Sequence, residues 1–122
     1  IITLEGLPAL VLGLNRAKFY LRGHARSDIA QIRESTIETW GEAQWLKYKE
    51  ALFEKLQTLA NNLSLGISMK EVSENAFRFP LKDHVVYYLK RNNDVVFVGV
   101  LPSHMSPKEH LQRKGDIANE LK

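Results

Sequence analysis

The stretch that decides the fold is Ala25–Ala60, ARSDIAQIRESTIETWGEAQWLKYKEALFEKLQTLA. Apolar residues recur in it every three or four positions, which is the spacing of one face of an α-helix. Gly41 interrupts the pattern and permits a tight corner. We therefore predict two helices that bury each other as a hairpin. The two stripes are Ala25, Ile29, Ile32, Thr36 and Trp40, and then Trp45, Tyr48, Leu52, Leu56 and Leu59.

The sequence on either side of the hairpin predicts strands. Phe19–Leu21 is a short β-prone run before the first helix. After the second helix the apolar period falls to two, which predicts strands at Val72–Phe79, His84–Lys90 and Val95–Leu101. Strands gathered after helices indicate an α+β domain. We expect the N-terminal helical hairpin to pack on a twisted, mainly antiparallel sheet of about four strands.

Two details of the hairpin can be predicted as well. Ser27 is a candidate N-cap of the first helix, with Asp28 just inside it, because a hydroxyl and a carboxylate both suit the positive end of a helix. Trp40 and Trp45 flank the glycine corner, and their simplest role is to clamp it by packing together.

Composition excludes several classes of protein. The chain has 122 residues, 44% of them hydrophobic and none of them cysteine. This length suits one domain, and the lack of cysteine excludes a disulfide scaffold, a thiolate zinc site and a cysteine nucleophile. It fits a reducing compartment, so we expect a cytoplasmic protein. The net charge of +3 fits a solvated cationic surface or a partner with an acidic segment.

The chain divides into three parts on its pattern. Residues 1–18 form an apolar extension, residues 19–111 the folded domain, and residues 112–122 a polar tail. The run Leu7–Leu14 is far shorter than the roughly 20 residues that span a bilayer, so we expect no membrane contact. We expect the extension to pack on the body of the chain or on a second copy, which would make a homodimer.

Four polar residues can converge at one edge of the sheet: Arg78, Lys82, His84 and His104. A base, a cation and an acid are what cleavage of RNA by its own 2′-hydroxyl requires, so these side chains form a candidate nuclease site. The alternative is that Arg78 and Lys82 are solvated charges of a strand edge and His84 is a structural histidine. No metal-binding motif appears, and we expect neither a metal nor another cofactor.

The order of motifs resembles the RelE/ParE superfamily of type II toxin–antitoxin toxins, and its ParE branch in particular. The first helix carries the pattern A-x-x-D-[IL]-x-x-I at residues 25–32, followed by Thr36 and the corner Trp40-Gly41. Later motifs are FRFP at Phe77–Pro80, HVVYY at His84–Tyr88, then Met105 and His110-Leu111. The resemblance covers Phe19 to Leu111.

The resemblance implies a helical hairpin on a twisted sheet and a cognate antitoxin that wraps and neutralises the toxin. ParE-type toxins poison DNA gyrase and are not enzymes, whereas RelE-type relatives cleave messenger RNA on the ribosome. We therefore expect a gyrase inhibitor, with a RelE-like endoribonuclease as the alternative. The expected scaffold and antitoxin-binding residues are Ile32, Trp40, Trp45, Tyr48 and Leu52. The expected contacts to the target are Arg78, His84, His104, Met105 and His110.

The chain departs from the ParE pattern near the end of the sheet. Gly99, Pro102, His104 and Ser106 stand where Arg, His, Arg and Asp are common in that branch. Because those positions lie near the region implicated in toxicity, a third alternative is a protein of the toxin fold that has lost toxicity and only binds an antitoxin.

Overall fold

The computed structural model describes residues 17–104, 113, 115–119 and 121. Two long helices and five strands follow one another along the chain. The elements are β1 (Lys18–Leu21), α1 (His24–Trp40), α2 (Glu42–Asn61), a short 3₁₀ turn (Leu63–Leu65), β2 (Ile67–Ser68), β3 (Ala76–Pro80), β4 (His84–Lys90) and β5 (Asp94–Pro102). Residues 113, 115–119 and 121 are helical, and we call them the C-terminal segment. Within this described part, no helix is long and apolar enough to cross a membrane.

The five strands form one sheet in the order β1-β5-β4-β3-β2. Strand β1 pairs in parallel with β5, while the other three pairings are antiparallel. A β-bulge interrupts the pairing of β4 with β5 at Tyr87 and Tyr88. The predicted α+β architecture and mainly antiparallel sheet are confirmed. The two-residue strand β2 was not expected, because so short an edge strand carries no readable alternation.

The helical hairpin covers one face of the sheet, which we call the hairpin face. Leu52, Leu56 and Leu59 of α2 are buried there against Tyr88 and Phe97 of the sheet. These leucines are spaced four and three residues apart, so the predicted stripe of α2 is the face that packs. Burying a leucine side chain stabilises the fold by about 1.5–3 kcal/mol, so this layer carries much of the stability.

The opposite face of the sheet, the second face, has its own apolar cluster. Val96, Val98 and Leu101 of β5 are buried there, and Ile117 and Leu121 of the C-terminal segment pack on them. The sequence pattern indicated a polar tail for residues 112–122. Its two apolar side chains lie four residues apart and so share one side of a helical turn, which is enough to dock this segment.

Three local expectations differ from the structure. Helix α1 begins at His24, not after Ser27: Gly23 has a φ of 53° and turns the chain directly from β1 into the helix. Ser27 is therefore not the N-cap, and its hydroxyl donates to the carbonyl oxygen of His24. Strand β3 begins at Ala76 rather than Val72, because residues 72–75 form a turn.

The expected clamp of Trp40 against Trp45 is wrong. Trp45 is buried, but Trp40 is 74% exposed. The buried residues of α1, which are Ala25, Asp28 and Ile29, all belong to its first two turns. In its last turn Ile37 is partly buried against the core, whereas Trp40 stands in solvent at the tip of the hairpin.

Candidate functional site

A cleft of about 380 Å³ opens where α1 passes the ends of β4 and β5. Helix α1 supplies one wall, the start of β4 and the end of β5 supply another, and the C-terminal segment contributes Arg113. The polar groups that matter most in it are Asp28, Asp83, His84, His104 and Arg113. Four parts of the chain that are distant in sequence therefore meet here, because strand pairing in the sheet brings them together.

His84 is the central group of the cleft. The Tyr48 hydroxyl and His84 Nδ1 are 3.1 Å apart. Burial lowers the pKa of His84 from its ordinary value, and the nearby charge of Asp83 opposes that shift. Burial also raises the pKa of Tyr48, so its phenol keeps its proton. The pair fits a neutral imidazole that accepts at Nδ1 and carries its proton on Nε2.

His104 shares the cleft with His84. It follows β5 in an exposed turn, and its charge further lowers the pKa of His84. The backbone holds the turn in place, because the amide of Ser103 donates to the carbonyl oxygen of Asp83 at 2.8 Å. The two histidines therefore lie together at one edge of the sheet, where the sequence predicted that they would converge.

Asp28 is a buried carboxylate that joins three elements. It is 5% exposed, and its Oδ2 accepts the backbone amide of Val100 on β5 at 2.9 Å. Arg113 donates to both of its carboxylate oxygens, at 2.7 and 2.9 Å. A buried charge is tolerated only when it is paired and hydrogen-bonded in this way.

Sequence reasoning missed this ion pair. It placed Asp28 at the start of α1, whereas the residue lies in the second turn and on the buried side. A signal was present, because Asp28 lies between Ala25 and Ile29 on the apolar stripe. A carboxylate on a face predicted to be buried requires a partner. The sequence does not say which of the chain's 17 lysines and arginines that partner is.

The other two residues of the predicted nuclease set lie elsewhere. Arg78 pairs with Tyr87 across β3 and β4, and Tyr87 belongs to the second face. Since side chains alternate along a strand, Arg78 and His84 lie on opposite faces of the sheet. Lys82 is exposed in the turn before β4 and does not line the cleft.

The described lining of the cleft offers hydrogen-bonding groups and imidazoles but little positive charge that is not already paired. Asp28 occupies the guanidinium of Arg113, and Asp83 adds a further carboxylate. Transfer of a phosphoryl group requires a cation placed on the reacting phosphate. In the described part of the chain, the four-residue nuclease set is not assembled.

The residues expected to form scaffold and antitoxin contacts divide by burial. Trp45 and Leu52 are buried in the core below the hairpin, and Ile32 and Tyr48 are half-buried. Trp40 is the exposed member of the set. Trp45 and Leu52 therefore serve the scaffold, and Trp40 is available for contact with a partner.

A second groove runs along the outer side of α2, with a volume of about 460 Å³. Its apolar floor is made by Leu46 and Phe53, and it is bordered by Lys47, Lys49 and Glu50, which together carry a net positive charge. Leu46 is exposed despite its size. The groove therefore presents apolar side chains next to positive charges, which suits an amphipathic segment with acidic residues.

Two predicted target contacts, Met105 and His110, lie outside the described residues, as does Ser106. Among the residues that are described, no group of three or more histidine, aspartate or glutamate side chains could hold a metal ion.

The sequence matches a family model described as the ParE toxin of the type II toxin–antitoxin system parDE, over residues 20–107. That range includes the hairpin, strands β2 to β5, the second half of β1 and the histidines of the cleft. No curated protein matches the sequence.

The fold is similar to one in a solved structure titled "Chromosomal ParDE TA system from P. aeruginosa". The TM-score is 0.59 at 11% sequence identity, and the match covers 71% of this chain and 96% of the other. At so low an identity the match shows a shared fold. It supports the hairpin-on-sheet architecture independently of the sequence motifs.

Proposed function

Because this chain belongs to the ParE toxin family of type II toxin–antitoxin systems, we propose that it inhibits DNA gyrase, arrests replication and is neutralised by a cognate antitoxin. The observation that carries the proposal is the family match over residues 20–107, which takes in the hairpin, strands β2 to β5 and the second half of β1. On this proposal the protein acts in the cytoplasm by binding its target, without catalysing a reaction.

The proposed contacts to the target lie around the end of the sheet. His84 and His104 share the cleft, while Arg78 lies on the second face. The target would therefore have to reach around the edge formed by the β3–β4 turn. Met105 and His110 enter the proposal only through the motifs that they share with the family.

The proposed antitoxin site is the outer groove of α2 together with the hairpin tip. Leu46 and Phe53 give it apolar contacts, and Lys47 and Lys49 give it two positive charges against the one negative charge of Glu50. Trp40 adds a large exposed aromatic surface, a type of residue that often dominates binding energy. An amphipathic helix with an acidic side would complement this surface.

A supercoiling assay with purified gyrase tests the proposal. Excess protein should block the supercoiling of relaxed plasmid and leave cleaved DNA behind. The variant His84→Ala/His104→Ala should lose most of this inhibition, whereas Lys70→Ala, which removes an exposed charge in the turn after β2, should retain it. Normal supercoiling in the presence of a large excess of folded wild-type protein would overturn the proposal.

A translation assay run in parallel separates the alternatives. A ribosome-dependent nuclease would cut translated messages in phase with codons, and the separation of Arg78 and Lys82 from the cleft argues against it. A protein of the toxin fold without toxicity would leave both gyrase and messages intact and still bind the product of the neighbouring antitoxin gene.

A further inference from the structure

The C-terminal segment connects the second face of the sheet with the cleft. Its Ile117 and Leu121 are buried in the cluster on the second face. Its Arg113 lies in the wall of the cleft and is bound to Asp28. One short stretch of chain therefore covers an apolar surface and completes a polar cleft at the same time.

Gly99 is the position that lets this segment approach β5. A Cβ at Gly99 would lie 2.5 Å from Ile117 Cδ1 and 3.1 Å from Ile117 Cγ1. Real Cβ atoms do not approach other carbons to 2.5 Å, and 3.1 Å is already tight, so any side chain at this position would force the Ile117 side chain to move. The glycine and the isoleucine are thus fitted to each other across the second face.

The anchors of the segment are few compared with those of the hairpin. Among its described residues, two apolar side chains and one ion pair hold it, whereas the hairpin face is held by a continuous row of buried leucines and aromatic rings. Regions with few buried apolar contacts open locally before the rest of a protein does. The segment also contains Gly115, Asp116 and Asn119, which are poor helix formers, so it has little tendency to stay helical when undocked.

From this arrangement we infer that the C-terminal segment is an intramolecular latch. Arg113 on Asp28 and Ile117 over Gly99 hold it closed, and its release uncovers the second face and opens one wall of the cleft that contains His84 and His104. In the closed state the latch restrains the toxin, because both surfaces lie next to the proposed target contacts. This last step rests on the proposed function, whereas the latch itself does not.

Hydrogen exchange tests the latch without reference to function. Gly99→Ala should lower the protection of amides 115–119 at least about tenfold and leave the protection of α2 unchanged. The double variant Gly99→Ala/Ile117→Val lacks the methyl group nearest to the new Cβ and should recover part of the lost protection. Asp116→Asn, which changes an exposed residue of the same segment and keeps a similar helix propensity, serves as the control. Unchanged protection of residues 115–119 in Gly99→Ala would overturn the latch.

A second measurement asks whether the segment closes the cleft. The pKa of His84, followed by NMR, should rise toward its ordinary value in Gly99→Ala, because opening the wall admits water to the imidazole. Arg113→Gln should raise it as well, but that variant also removes a positive charge that neutralises Asp28 in the same cleft, so Gly99→Ala is the variant that decides. Asp83, His104, Asp28 and Tyr48 also face His84, and none of them is altered in either variant. A His84 pKa that stays at its wild-type value in Gly99→Ala would contradict a shared wall.

The functional arm is a gyrase assay with the same variants. Gly99→Ala should inhibit supercoiling at a lower concentration than the wild-type protein, by a factor of about three or more. If no form of the protein inhibits gyrase, the proposed function is wrong. The hydrogen-exchange results still test the latch, because they do not depend on gyrase. If wild type and Gly99→Ala inhibit equally although the segment is released, the restraining role is overturned.

Discussion

At the scale of single residues, the chemistry of the protein depends on what burial does to polar groups. Asp28, Tyr48 and His84 each find a partner, and their geometry follows from those partners. Tyr88 does not: its ring is fully buried, and its hydroxyl has no hydrogen-bond partner among the described residues. Burial raises the pKa of Tyr88 to about 12.

Removing that hydroxyl should stabilise the protein. A buried polar group without a partner costs about 1–3 kcal/mol, so Tyr88→Phe should raise the free energy of unfolding by about 1 kcal/mol. Urea denaturation followed by circular dichroism measures it. Tyr20→Phe removes a hydroxyl from a half-exposed ring and should leave the midpoint unchanged. A clear loss of stability in Tyr88→Phe would show that the hydroxyl is hydrogen-bonded after all.

His84 should make stability depend on pH. Its pKa in the folded protein lies below the ordinary value of 6.5, so the unfolded chain binds a proton more readily than the folded one. Stability is therefore lost as the pH falls through about 6.5 toward the folded pKa. Denaturation midpoints between about pH 7.5 and pH 5 should fall more steeply for the wild-type protein than for His84→Gln. Equal slopes for the two proteins would exclude this contribution.

At the scale of elements, the two sides of α2 have opposite roles. Leu56 is completely buried beneath the hairpin, whereas Leu46 is 59% exposed and forms part of the outer groove. The same residue type on the same helix therefore serves the core at one position and an open surface at another. Helical periodicity decides which side faces the sheet.

A matched pair of substitutions measures this asymmetry. Leu56→Ala should lower the free energy of unfolding by about 2–5 kcal/mol because it leaves a cavity in the core. Leu46→Ala should change it by less than about 0.5 kcal/mol. Chemical denaturation of the two variants under one set of conditions provides the comparison. Similar losses in both would mean that the outer groove is itself part of a packed core.

At the scale of the whole molecule, folding leaves one of its two tryptophans in solvent. Trp45 is 5% exposed and belongs to the core, while Trp40 is 74% exposed at the hairpin tip. A tryptophan on the surface that contributes nothing to packing is a natural contact for a partner. This division supports the hairpin tip as part of the proposed antitoxin site.

The two tryptophans should therefore separate stability from binding. Trp45→Ala should cost about 3–5 kcal/mol of folding free energy, whereas Trp40→Ala should fold like the wild-type protein. Trp40→Ala should nevertheless be neutralised less effectively when it is co-expressed with the neighbouring antitoxin, seen as growth arrest at antitoxin levels that silence the wild-type toxin. Full neutralisation of Trp40→Ala would remove this residue from the interface.

The sequence by itself determined the elements that have a strong period. The apolar stripes of α1 and α2 fix the buried side of each helix, because their period matches the helical backbone. The runs of β-branched and aromatic residues in β4 and β5 indicate strands. Family motifs then predicted how those elements assemble. The sequence predicted turns and short edge strands less accurately. Strand β3 begins later than predicted, because residues 72–75 are compatible with either a turn or a strand.

Only the tertiary structure decided which distant groups meet. Asp28 and Arg113 are 85 positions apart, and neither residue indicates the other. The pairing of β4 with β5 sets His84 opposite Pro102 and so brings His84 and His104 into one cleft. The alternation of side chains on β3 and β4 sends Arg78 to the opposite face. The docking of the C-terminal segment likewise depends on the absence of a side chain at Gly99. Such contacts follow from the three-dimensional path of the chain, which local periodicity does not contain.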